Sequence, residues 1–128
     1  MAGNLNAKII IARCAKINKT YGIRVEQRGN DWVRTWAFPI DENKAKREGF
    51  DLNTISGSLK ADPDFPGCPY CEFFGFVQCQ CGKIGCDGGI IPKEESAEYT
   101  CPWCGLRDIV VHAENFNVSG EGDRKSVV

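Results

Sequence analysis

Seven of the chain's eight cysteines fall between positions 68 and 104, and this clustering limits the folds open to the second half more than any other feature. They are Cys68, Cys71, Cys79, Cys81, Cys86, Cys101 and Cys104, while Cys14 stands alone far upstream. Cys68-Pro69-Tyr70-Cys71 and Cys101-Pro102-Trp103-Cys104-Gly105 are CxxC pairs. At that spacing a tight turn aims two sulfurs at one ion about 2.3 Å away. Gly105 supplies the left-handed backbone that such a turn often needs. Two pairs on facing hairpins give a tetrahedral site.

Between the pairs, Cys79-Gln80-Cys81-Gly82-Lys83-Ile84-Gly85-Cys86 offers three more sulfurs, which points to a second site. A closed zinc site takes four protein ligands, so one donor is still required. Cys14 and His112 are the candidates. Cys14 also reads as a buried apolar thiol, and His112, within Val110-Val111-His112-Ala113, as a surface or core strand histidine. Spacing does not assign cysteines to ions. The energetics favour metal: some sixty residues poor in large aliphatics bury too little apolar surface to offset chain entropy. One structural zinc contributes roughly 10–16 kcal/mol of apparent binding free energy. Zinc, two ions, is the expected cofactor.

A disulfide framework is the competing use of eight cysteines, and it depends on compartment. The longest apolar run, Ile9-Ile10-Ile11-Ala12, is far too short to span a bilayer, and the N-terminus lacks the basic and hydrophobic regions of a signal peptide. The chain therefore reads as soluble and cytoplasmic, where thiols stay reduced. Net charge is −1, but residues 1–66 carry +3 and residues 67–128 carry −4. Metal-bound thiolates add negative charge to the second half, which argues against a nucleic-acid-binding zinc ribbon.

The first half reads as β-rich. Lys8–Ala12 is a short apolar strand. Ile23 and Val25 alternate with Arg24 and Glu26, and after the turn Arg28-Gly29-Asn30-Asp31 the run from Trp32 to Phe38 alternates again. Trp32 and Trp36 are placed in the core of that hairpin. Asp41 as N-cap and Gly49 beyond the last turn bracket a short helix over about 41–48. Ile55–Leu59 is one more strand. Asp62 to Gly67 is loop chemistry and marks a module boundary. Beyond it, Phe73–Cys79, Lys83–Cys86, Tyr99–Cys101 and Ile109–Asn117 read as short strands, without a helix. The expected fold is small α+β and β-rich: N-terminal β-hairpins and one short helix (1–66) fused to a zinc-ribbon-like binuclear metal module (67–118), with a flexible tail (119–128), the whole forming one integrated domain.

Other uses of the cysteines fit less well. Cys68-Pro69-Tyr70-Cys71 is a glutaredoxin-type tetrapeptide, but redox CxxC motifs open a helix, and both pairs here run into predicted strands. Rubredoxin-like iron accepts the same sulfur set but leaves three cysteines unexplained. Catalysis has no nucleophile setting and a single histidine, so no enzymatic activity is expected. A crossed-brace ubiquitin-ligase-like domain fails on spacing. Trp103, inside a knuckle, is expected to pack over the metal site.

The ordered motifs Tyr21-Gly22-Ile23-Arg24-Val25, Trp36-Ala37-Phe38, the Ala45–Phe50 run, Ile55-Ser56-Gly57-Ser58 and Phe65-Pro66-Gly67-Cys68-Pro69-Tyr70-Cys71 continue through Cys79-Gln80-Cys81-Gly82-Lys83 and Cys86. They end in Thr100-Cys101-Pro102-Trp103-Cys104-Gly105. Over roughly residues 14–106 this series resembles the TerY C-terminal metal-binding domain of tellurite-resistance and stress-response proteins. The resemblance implies a two-zinc domain with eight chelating positions, and so Cys14 as the eighth ligand. It also implies protein partners of the A-domain, kinase or phosphatase type, in phosphorylation-linked stress systems, rather than nucleic acid or membrane. The A domain that precedes this module in the family has no counterpart here, so the chain reads as a standalone relative or a fragment.

Overall fold

The alternating apolar residues of the first half fold as their period requires. In a computed structural model, which describes residues 6–50, 53–111 and 116–119, strand β1 (Asn6–Arg13) pairs antiparallel with β2 (Thr20–Arg28). Strand β2 pairs antiparallel with β3 (Asp31–Pro39) across the expected Gly29-Asn30 turn. Opposed residues share a sheet face, so Ile10 with Ile23 and Ala12 with Tyr21 form one apolar layer. That layer is completed by Val25, Trp32, Ala37, Ile55, Leu59, Phe65 and Ile84.

Helix α1 (Glu42–Arg47) starts where the sequence places it. The Asp41 side chain accepts a hydrogen bond from the Asn43 amide at 2.9 Å, satisfying one of the free N–H groups of the first turn. The helix carries the chain across to β4 (Thr54–Ala61), which lies parallel to β3. It buries Ala45 against Ile11 and Ile40 on the opposite face of the sheet.

One hairpin expectation fails. Trp32 is 6% exposed but Trp36 is 55% exposed. Arg24 opposes Trp36 whereas Val25 opposes Arg34, so Thr35 is an extra residue bulged out of the ladder. A one-residue insertion reverses which face every later side chain occupies. Trp36 is thereby turned off the core and Ala37 turned into it. The Thr35 hydroxyl holds the bulge, donating to the Arg24 carbonyl at 3.2 Å and accepting from the Arg24 guanidinium at 2.9 Å.

The loop at 62–67 does not end the sheet. Strand β5 (Phe76–Gln78) pairs antiparallel with β6 (Ile84–Cys86), which lies parallel to β1 through Ala12↔Ile84 and Arg13↔Gly85. Strands β7 (Ile91–Pro92), β8 (Ala97–Thr100) and β9 (Arg107–Ile109) form a separate three-stranded sheet. Strand β10 (Phe116–Ser119) returns to pair with β4, giving a seven-stranded order β10-β4-β3-β2-β1-β6-β5. Strands from the second half thus flank those of the first on both sides. Beyond the loop at 62–67, the helical turn among the described residues is a 3-10 turn at Asp87–Gly89. The predicted strand over 109–117 is divided between β9 and β10, and the predicted tail beyond Ser119 lies outside the described residues, as does His112.

Arg34 straps the halves together. Its guanidinium donates to the Lys60 carbonyl at 3.3 Å and the Phe74 carbonyl at 2.7 Å, and lies between the rings of Phe65 and Phe76, 4.9 and 4.8 Å from their centroids. A buried cation held by carbonyls and ring faces fixes the cysteine-bearing loop to the sheet.

Candidate metal centres

Three of the turns that present the cysteines are built alike. In the Cys68 turn the first amide donates to the Phe73 carbonyl at 2.9 Å, and the Glu72 amide donates back to the Cys68 carbonyl at 2.8 Å. The Cys101 turn repeats this with Leu106 at 2.8 Å and Gly105 at 3.0 Å. The Cys14 turn repeats it again, with Lys19 and Asn18, each at 2.8 Å. In all three the fifth residue adopts a left-handed backbone: Asn18 at φ 57°, Glu72 at φ 69° and Gly105 at φ 83°. The Cys79 turn is one residue tighter, closing from Cys79 to Lys83 at 3.0 Å.

The sequence reveals two of these knuckles but misses the third. The Cys14 turn has Ile17 where the others carry their second cysteine. The available signal was Asn18, four residues after a cysteine, because asparagine tolerates the left-handed region better than most residues.

Folding sorts the eight thiols into two groups of four. Cys14, Cys68, Cys71 and Cys86 form the first, and Cys79, Cys81, Cys101 and Cys104 the second, with all sulfurs of a group within 4.8 Å of one another. The two CxxC knuckles therefore do not share a site. Each is completed by cysteines distant in sequence: Cys14 at the end of β1 and Cys86 at the end of β6, or the Cys79-Gln80-Cys81 turn. Cys14 and Cys86 continue the parallel register of their strands, so the sheet itself sets their spacing.

The geometry suits a tetrahedral ion. Four sulfurs about 2.3 Å from a common centre lie about 3.8 Å apart. Cys71 and Cys86 are 3.6 Å apart, Cys14 and Cys86 3.9 Å, Cys79 and Cys104 3.5 Å, and Cys81 and Cys101 3.9 Å. All eight cysteines are free thiols. Backbone amides point at the sulfurs: Ala15 N–H reaches Cys86 Sγ at 3.3 Å, and Trp103 and Cys104 N–H reach Cys101 Sγ at 3.3 and 3.5 Å. Such donors stabilise thiolates, as they do around bound metal.

Within each group one thiol leans toward its anion. Burial raises Cys14, but the Ile17 and Lys16 amides and the thiols of Cys68 and Cys71 outweigh it and hold Cys14 below the ordinary thiol value. Cys104 is lowered in the same way: the Leu106 amide and the second-group thiols overcome its burial. Burial pushes Cys68 up and raises Cys86 to about 11. It also raises Cys79 and Cys81. A divalent ion at either centre would draw protons from the thiols that it binds, most readily from the one whose anion its neighbours favour.

The centres differ in exposure. Cys14, Cys68 and Cys86 belong to the main apolar core, whereas Cys104 is exposed and Cys79 and Cys81 half-buried. Tyr99 spans the space between them, donating its hydroxyl to the Cys86 carbonyl at 2.7 Å. Trp103 does not lie over the cysteines as expected. Its indole packs with Ile11, Ile40 and Ala45, donates to the Ile84 carbonyl at 2.7 Å, and lies under Arg13 and Lys83 at 4.1 and 4.4 Å. The second knuckle is thereby anchored to the helix-bearing face of the sheet. Cys71 is followed by loop and then β5, not by a helix, so the thiol activation of a redox CxxC has no structural basis at this motif.

No family model, curated protein or solved structure matches the chain. What its own geometry defines is a β-rich protein with two tetrathiol groups able to hold metal ions, and no helix among the described residues is long and apolar enough to cross a membrane.

Proposed function

We propose that the chain is a zinc-binding, non-catalytic protein-interaction module. The observation that carries this reading is that all eight cysteines are consumed by two four-sulfur groups at tetrahedral spacing. Four thiolates close the coordination shell of zinc and leave no position for water or substrate, which is the arrangement of structural sites. Zinc is favoured over iron because a closed four-thiolate zinc site serves structure without a redox partner. The resemblance to the TerY C-terminal domain supports a partner among A-domain, kinase or phosphatase proteins of a stress response.

Native mass spectrometry of the purified chain tests the metal. The expected result is two zinc ions per chain in a colourless protein. Fewer than one ion, or visible iron–thiolate absorbance, overturns it.

A further inference from the structure

A cleft of about 950 Å³ opens between β5 and the wall formed by β9 and its continuation to Val111. Three aliphatic side chains stand on that wall: Leu106 is 40% exposed, Ile109 57% and Val111 77%. Single exposed aliphatics need no explanation, but three within six residues along a cleft form the kind of patch that marks an interaction surface. β9 is an outer strand with every residue exposed. Main-chain extension of the sheet is nevertheless hindered at its last residue, because the Ile109 amide donates to the Asp108 carboxylate at 2.8 Å. An occupant is therefore held by its side chains.

Charge decides which side chains. Cys79 and Cys101 line the cleft, so a loaded second centre places −2 against it. Asp87 and Asp108 add two carboxylates, and the one cation facing it from the described lining is the buried Arg34, whose Nε and Nη1 are occupied by carbonyls. The cleft therefore carries a net charge of about −3 with an apolar lip.

We propose that this cleft binds an extended segment of a partner protein that combines apolar side chains with lysine or arginine. The proposal rests on the zinc-loaded reading above, which supplies two of the negative charges, and it names the chemistry of the partner. Acidic segments and nucleic-acid phosphate are repelled by the same field.

The test uses the full zinc-loaded chain and an array of ten-residue peptides with a leucine/valine background, carrying lysine, glutamate or serine at alternate positions. Zinc per chain is counted on the same sample. Lysine peptides are expected to bind roughly tenfold or more tightly than glutamate peptides, with affinity falling as salt is raised. The double substitution Ile109→Ser, Val111→Ser is expected to weaken lysine-peptide binding about tenfold, with zinc content and melting temperature unchanged because both side chains are exposed. Asp108→Asn should weaken it less and flatten the salt dependence. Equal binding of lysine and glutamate peptides, or a double variant that binds as the native chain does, overturns the cleft assignment. Two ions without lysine-peptide selection sink the cleft alone; fewer than one ion per chain sinks the metal reading and the cleft's selectivity with it.

Discussion

Cys14 and Cys86 are separated by 72 residues, yet their sulfurs lie 3.9 Å apart where parallel strands β1 and β6 end side by side. An ion held there would be bonded through Cys14 at the end of β1 and through Cys86 at the end of β6. Metal binding at this centre would therefore be coupled to closure of the seven-stranded sheet.

Cys14→Ser should leave one zinc per chain instead of two and destabilise the fold by more than about 4 kcal/mol, the range reserved for loss of a metal or a comparable core element. Native mass spectrometry and thermal melting read both effects. Retention of two ions would remove Cys14 from the ligand set.

The two centres should empty in order. Cys104 is exposed whereas three of the four first-group cysteines are buried in the core, so a chelator reaches the second centre first. Zinc release followed with a coloured chelator is expected to be biphasic, and Cys104→Ser should abolish the fast phase alone. A single phase in the native chain would contradict the asymmetry.

Zinc uptake should release protons. Because Cys68, Cys79, Cys81 and Cys86 are all raised, the last to about 11, each is neutral at pH 7 without metal. A raised pKa favours the protonated thiol, so protons compete with the ion and apparent affinity must fall as pH falls. Titration in weak buffer with an indicator is expected to show at least four protons released on filling both centres of one chain. Release of fewer than two would argue against thiolate ligation.

The two hairpin tryptophans should behave oppositely. Trp32→Ala removes a core side chain and is expected to cost about 3–5 kcal/mol, whereas Trp36→Ser should stay within about 0.5 kcal/mol of the native chain. Denaturant melts compare them. Similar losses for both would mean that Thr35 does not bulge.

Backbone strain separates the knuckles as well. Glu72 holds φ 69° and Gly105 φ 83°, with nothing within 4 Å of a β-carbon built at Gly105. Gly105→Ala should therefore cost about 1 kcal/mol through conformation alone, and Glu72→Gly should recover up to about the same amount. Thermal melts of the loaded protein check the signs, and a stabilising Gly105→Ala would refute them.

Much of this was legible beforehand. Strand period, the Asp41 cap and the CxxC knuckles are local: each depends on residues within one or two turns of one another, so composition and spacing suffice to read them. The Cys14 turn was nearly legible, since its backbone repeats the knuckle pattern while Ile17 occupies the position of the second cysteine.

Order along the chain supplies the inventory: eight thiols, two CxxC turns and a first half able to pair into a sheet. Tertiary structure alone decided which thiols meet. Short-range spacing cannot encode the parallel alignment of β1 with β6 that brings Cys14 to Cys86, nor the placement of Trp103 against Ile11 and Ile40 that carries the second knuckle to the opposite face. The Thr35 bulge belongs to the same class, because a ladder slip costs little locally and is chosen by how the whole sheet packs.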